Sequence, residues 1–203
     1  MISIAMALAH LHANDIVHGH IHPVSGPTLI ALFRLPYSHL QAVIRIEDGN
    51  ATLTHVGAYT VASQVLHSHN HYIPNQESFT WQAPEFLTMD VPRVPTKAMD
   101  VYAFGSTLYT VRPHHPSTGI LLVKLTNPYL KVSTGAAPFD GRYRRLETTM
   151  VEIGRHGHRR LPQPDSISDG LWKIIRCCWE YDPVTRPRME YVVGALRALP
   201  VQP

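Results

Sequence analysis

The sequence predicts an α+β domain that is mainly α-helical, and three observations carry that reading. Short runs rich in β-branched and aliphatic residues, TLIALF (28–33), QAVIRI (41–46) and ATLT (51–54), fall in the first third of the chain. From Thr96 onward the apolar residues recur at helical spacing instead. At 203 residues, 44% apolar and 16% charged, the chain is too hydrophobic for a disordered tail and too poor in charge for a long coiled coil. A few strands followed by a run of helices is an α+β order, and the length suits one domain of ordinary size.

Taken in order, residues 2–12 place Ile4, Leu8 and Leu11 on one helix face, and Asn14-Asp15 ends that helix. The second and third strands are joined by Glu47-Asp48-Gly49-Asn50, a turn sequence. Residues 58–80 show neither period and include HSHNHYIPNQES, which reads as a long loop. Helices are expected at 97–110, about 143–154, 168–179 and 188–199. Ser168 and Asp169 open the third of these, which carries Leu171, Ile174, Ile175 and Cys178 on one face. Pro187 announces the last, with Met189, Val192, Val193 and Leu196 as its apolar face. The adjacent Cys177 and Cys178 point in different directions on that helical backbone, so Cys178 packs and Cys177 is a half-exposed thiol.

Eighteen Lys and Arg against fifteen Asp and Glu give a net charge of +3. The basic residues gather in Arg142/Arg144/Arg145 and Arg155/Arg159/Arg160, without the aromatic-rich strand of a nucleic-acid module, and read as a solvated helix face and loop. No apolar run is long enough to span a membrane, and the first residues lack the basic stretch and cleavage site of a signal peptide. Two cysteines cannot build a disulfide framework. The expectation is a cytoplasmic domain with no nucleic-acid and no membrane partner.

Five segments, in one order, resemble landmarks of the protein kinase family. LAHLHANDIVHGHIHP (8–23) resembles the helix and catalytic loop, whose family pattern is H-R-D-L-K-P-x-N. FTWQAPEFL (79–87) is similar to the Ala-Pro-Glu element that closes the activation segment, and DVYAFGSTLYT (100–110) to the long buried helix after it. TGAAPFDG (134–141) resembles the T-G-x-x-P-F turn, and CCWEYDPVTRP (177–187) the C-W-x-x-D-P-x-x-R-P element of tyrosine-kinase-like kinases. The resemblance implies a protein-kinase-like fold over residues 1–199, limited to the C-terminal lobe with the N-terminal lobe absent, and a short tail at 200–203. It also implies that Glu85 and Arg186 form a buried ion pair and that Asp100 accepts backbone N–H groups of the catalytic loop. Trp81, Phe104, Trp172 and Trp179 would be core aromatics.

The same correspondence replaces the groups that phosphoryl transfer uses. The family's loop Asp takes the substrate hydroxyl proton, while an Asn downstream and the Asp of D-F-G hold Mg²⁺. Here the base position is His20, the Asn position is Ser25, and the D-F-G segment reads His55-Val56-Gly57. The loop arginine is Gly19 and the lysine is His22. Mg²⁺ prefers hard oxygen ligands, which imidazole does not supply. No G-x-G-x-x-G occurs. The nearest acids, Asp15, Glu47 and Asp48, belong to turns. The alternating histidines His18/His20/His22 and His67/His69/His71 lack the second half of a zinc signature, so no metal site is expected.

Between TLYT (107–110) and VSTGAAPF (132–139) lies VRPHHPSTGILLVKLTNPYLK (111–131), which matches no element of the family. It reads as a retained small intron or as a real surface insertion. It carries Arg112, Lys124 and Lys131 and no acid, so without it basic and acidic residues balance at fifteen each.

These features imply a pseudokinase that acts by binding a protein partner in signalling, through the activation-segment surface and the groove around residues 139–160. No cofactor is expected, and ATP and Mg²⁺ would enter only with an N-terminal lobe missing from the gene model. Two alternatives stand beside it: a truncated gene model of an ATP-dependent protein kinase, and a decayed product that does not fold alone.

Overall fold

A computed structural model of the chain describes residues 1–22, 44–47, 50–53, 56, 80–88, 94–110, 146–159 and 161–200. The expected strand at 28–33, the loop at 58–80 apart from Thr80, the segment 111–131, the T-G-x-x-P-F turn and the tail at 200–203 apart from Pro200 lie outside these residues, as do Ser25 and His55.

The described part is mainly helical. Helix α1 spans Ile2–Ala13, a hairpin follows with β1 at Ile44–Glu47 and β2 at Asn50–Leu53, and then come α2 (Pro84–Thr88) and α3 (Lys97–Thr110). Helices α4 (Leu146–His156), α5 (Asp169–Cys178) and α6 (Met189–Arg197) complete the order, with a 3₁₀ turn at Pro183–Thr185 between the last two. The strands are antiparallel, with Ile44 opposite Leu53 and Glu47 opposite Asn50. Pairing therefore runs up to the dipeptide Asp48-Gly49, a residue pair suited to two-residue hairpin loops. These strands overlap the expected runs at 44–46 and 51–53.

Helix α3 is the centre of the packing, and every residue from Met99 to Thr110 on it is buried. A helix buried all round must neutralise its own polar side chains. Here the hydroxyls of Ser106 and Thr107 donate to the carbonyls of Tyr102 and Ala103, four residues back. Helix α5 lies against α3 so closely that a Cβ built on Gly105 would stand 2.6 Å from Cys178 Cβ. Helix α1 packs on α6 and β2, and α2 packs on α4. Ile174, Ile175 and Cys178 of α5 are buried, as are Met189, Val192, Val193 and Leu196 of α6. The hydroxyl of Ser168 accepts from Leu171 N–H at the start of α5.

Helix α1 differs in one respect from its sequence pattern. Its buried residues are Ile4, Ala5, Leu8 and His12, with Leu11 only partly covered. The face is rotated toward His12 because that imidazole has a buried partner in α3. Of the expected core aromatics, Phe104 and Trp179 are fully buried, whereas Trp81 and Trp172 are half-buried at the edge of the core.

Candidate functional site

The catalytic-loop segment leaves α1 through Asp15, whose φ of 57° lies in the left-handed region and turns the chain. Lys97 Nζ binds Asp15 Oδ1 at 2.6 Å and holds the Asp15 carboxyl below its usual pKa. Residues 18–22 then run against the start of α3. Asp100 in the first turn of α3 gathers three donors there: His18 N–H at 2.8 Å and His12 Nε2 at 3.0 Å on Oδ2, and Gly19 N–H at 2.8 Å on Oδ1. Only 1% of Asp100 is exposed, and a buried carboxylate is tolerable when its oxygens are bonded in this way. Gly19 has φ 83°, a conformation that a side chain would oppose, so glycine lets both consecutive N–H groups aim at one carboxylate.

His18, His20 and His22 are all buried, with His20 only 4% exposed. His20 N–H donates to His18 Nδ1 at 3.3 Å. The His20 and His22 rings meet at a centroid distance of 4.7 Å, tilted by 53°, and His22 lies 5.9 Å from the ring of Trp81. Burial lowers the pKa of His20 to about 4, with the neighbouring His18 as the smaller cause, so the imidazole is neutral near pH 7. Among the described residues no group of three His, Cys, Asp or Glu side chains could hold a metal ion.

The second constellation clamps the end of the activation-segment element to the helices. Arg186 Nη1 donates to Glu85 Oε1 at 2.6 Å and Nη2 to Oε2 at 2.7 Å, a two-pronged ion pair between residues 101 apart in sequence. The remaining guanidinium donors bind the carbonyls of Ala98, Glu180 and Tyr181, and the group lies over the Tyr102 ring at 4.7 Å. One side chain thus ties α2, α3 and the segment after α5.

A third network has no counterpart in the sequence reading. The Tyr102 hydroxyl accepts from His158 N–H at 2.8 Å and lies 2.7 Å from His158 Nδ1. His158 Nε2 is 2.6 Å from the Thr80 carbonyl, which can only accept. That fixes the tautomer: Nε2 carries the proton, and Nδ1 receives the Tyr102 hydroxyl. His158 packs on Trp179 at 4.9 Å, and Trp179 Nε1–H donates to Ser106 Oγ at 2.9 Å. Burial pushes the His158 pKa down to about 3 and raises that of Tyr102 well above its usual value. Within Gly-His-Arg-Arg (157–160) the histidine looks like part of a solvated basic stretch. The hint available was Gly157, which at φ 58° ends α4 and turns the next residue inward.

Trp81 Nε1–H donates to Thr110 Oγ1 at 3.4 Å, tying the activation-segment element to the end of α3. Arg155 and Arg159 are exposed, as a solvated basic face requires, and Arg159 pairs with Glu180.

A clamp between residues 85 and 186, a catalytic-loop segment held by the first turn of a buried helix, and this helix order define a protein-kinase-like domain. The chain belongs to the protein tyrosine and serine/threonine kinase family, whose model matches residues 1–196. No helix among the described residues is long and apolar enough to cross a membrane.

Proposed function

We propose that this kinase-family chain acts by binding a protein partner, with its catalytic loop kept as a structural element. The observation that carries the reading is His20. It stands at the family's base position by sequence correspondence, and it is a buried, neutral imidazole packed against the His22 ring. Phosphoryl transfer needs a carboxylate there, with negative charge beside the metal-bound phosphates and access to a substrate hydroxyl. A neutral ring brings no such charge, and protonating it would bring charge of the wrong sign. From Ile16 to Ser25 the loop has no acid at all. This donor set does not fit Mg²⁺-ATP in the family's manner, and no cofactor is assigned to the chain.

The architectural residues support the same reading. Asp100, Glu85 and Arg186 maintain the fold without needing turnover, so a folded binding surface survives the loss of the chemistry. The test is transfer of labelled phosphate from ATP, with Mg²⁺ or Mn²⁺, to the chain itself and to a generic protein substrate. Incorporation at the level of a protein-free blank is expected. A rate above blank that disappears in His20→Ala would establish the opposite reading, an ATP-dependent phosphotransferase.

A further inference from the structure

One stretch outside the 111–131 segment is strongly basic. Residues 142–160 hold six arginines against two glutamates, while the rest of the chain holds twelve basic residues against thirteen acidic ones. In the structure, part of this stretch forms a concave surface. Arg155 and His156 at the end of α4, Arg159 beyond Gly157, and Tyr181 after α5 line an open cleft of about 300 Å³.

The cleft is built by interactions already described. The left-handed Gly157 reverses the chain, so that Arg155 and Arg159 come to the same cleft from opposite sides of the turn. Arg186 holds the carbonyls of Glu180 and Tyr181, which fixes the opposite wall. A helix C-terminus would ordinarily disfavour an anion, but two carbonyls of the last turn of α4 are bonded: Ile153 O accepts from Gly157 N–H at 2.7 Å and Gly154 O from the Tyr181 hydroxyl at 2.7 Å. Val151, one turn before Arg155 on the same helix face, is 48% exposed. Glu180 already places its carboxylate on Arg159, so a carboxylate of this chain occupies one of the two guanidinium groups.

We propose that this cleft docks an acidic segment of a partner protein, one that sets carboxylates between Arg155 and Arg159 and displaces Glu180 from Arg159. The charge of the stretch, the converging guanidinium groups and the internal carboxylate that mimics the occupant all select that chemistry. The proposal deepens the reading of the chain as a binding domain, yet it is measured separately: a chain that transferred phosphate could still bind here, and an inactive one could fail to.

The experiment uses the full chain and a fluorescein-labelled octapeptide of glutamate, with an octapeptide of glutamine as the uncharged control, read by fluorescence anisotropy. The glutamate peptide binds and the glutamine peptide does not. Raising salt from about 0.1 to 0.5 M weakens binding roughly tenfold, as screening of exposed charges requires. Arg155→Glu, an exposed change that leaves the fold intact by circular dichroism, weakens it about tenfold or more, since it removes one charge and adds its opposite. Glu180→Gln acts in the other direction and strengthens binding about threefold by releasing Arg159. Equal binding of both peptides, no response to either substitution, or binding of an oligonucleotide without binding of the glutamate peptide would overturn the proposal.

Discussion

Two places in this molecule present family landmarks, and they have fared differently. At the Glu85–Arg186 clamp every donor of the guanidinium is used, and the partners lie on α2, α3 and the segment after α5. At the catalytic loop the backbone is held with equal care by Asp100, but the side chains it carries are three buried histidines. The two sites depend on different physics. A clamp stabilises the folded chain whether or not a reaction follows, because leaving one partner alone in the interior is costly. A base or metal-ligand position acts on a transition state and not on the fold, so under the proposed reading an imidazole there costs the fold little.

The sharpest way to break that comparison is at the clamp. Arg186→Ala leaves Glu85 without its partner and removes a donor from three carbonyls, and the expected loss is about 3–5 kcal/mol of unfolding free energy in urea. A loss under about 1 kcal/mol would remove the clamp from its architectural role. The same treatment of His20, His20→Gln, should cost much less.

The buried histidines sharpen the comparison through pH. His20 and His158 have folded pKa values of about 4 and about 3, below the value of about 6.5 expected in the unfolded chain. Between those limits the unfolded state binds more protons, so stability is full above about pH 7 and falls as the pH drops below 6.5. At pH 5.5 each group costs on the order of 1 kcal/mol of stability relative to pH 8. Urea midpoints from pH 8 to 5.5 check this, and His20→Gln should remove about half of the slope. A further effect is expected at the α3–α5 contact. Gly105→Ala drives a methyl group into Cys178 and the edge of the Trp179 ring and should lower stability by about 1–3 kcal/mol.

The sequence made the long-range architecture legible where residue type and order coincide. Helix α3 is read within its bounds, and the apolar faces of α5 and α6 are the buried ones, because helical periodicity reports burial directly. The proximity of residues 85 and 186 has no local signal and follows only from the family resemblance. Alternation alone did not say whether His18, His20 and His22 face solvent or the core, and the structure buries all three. His12 and His158 were hidden for a related reason. Histidine carries no apolar signal of its own, whether beside Leu11 and Ala13 or beside Gly157 and Arg159, and a distant partner, Asp100 or Tyr102, holds it in the core.

The central claim is that His20, which corresponds to the family's base position by sequence resemblance, is a neutral part of the core. Its most direct test is the ¹H–¹³C spectrum of the histidine Cε1–Hε1 groups from pH 8 to 5.5, with the His20 signal assigned by its absence in His20→Gln. The account predicts that this signal stays at its neutral position throughout the range while exposed histidines titrate. A His20 midpoint near 6.5, the value of a solvated imidazole, would contradict it.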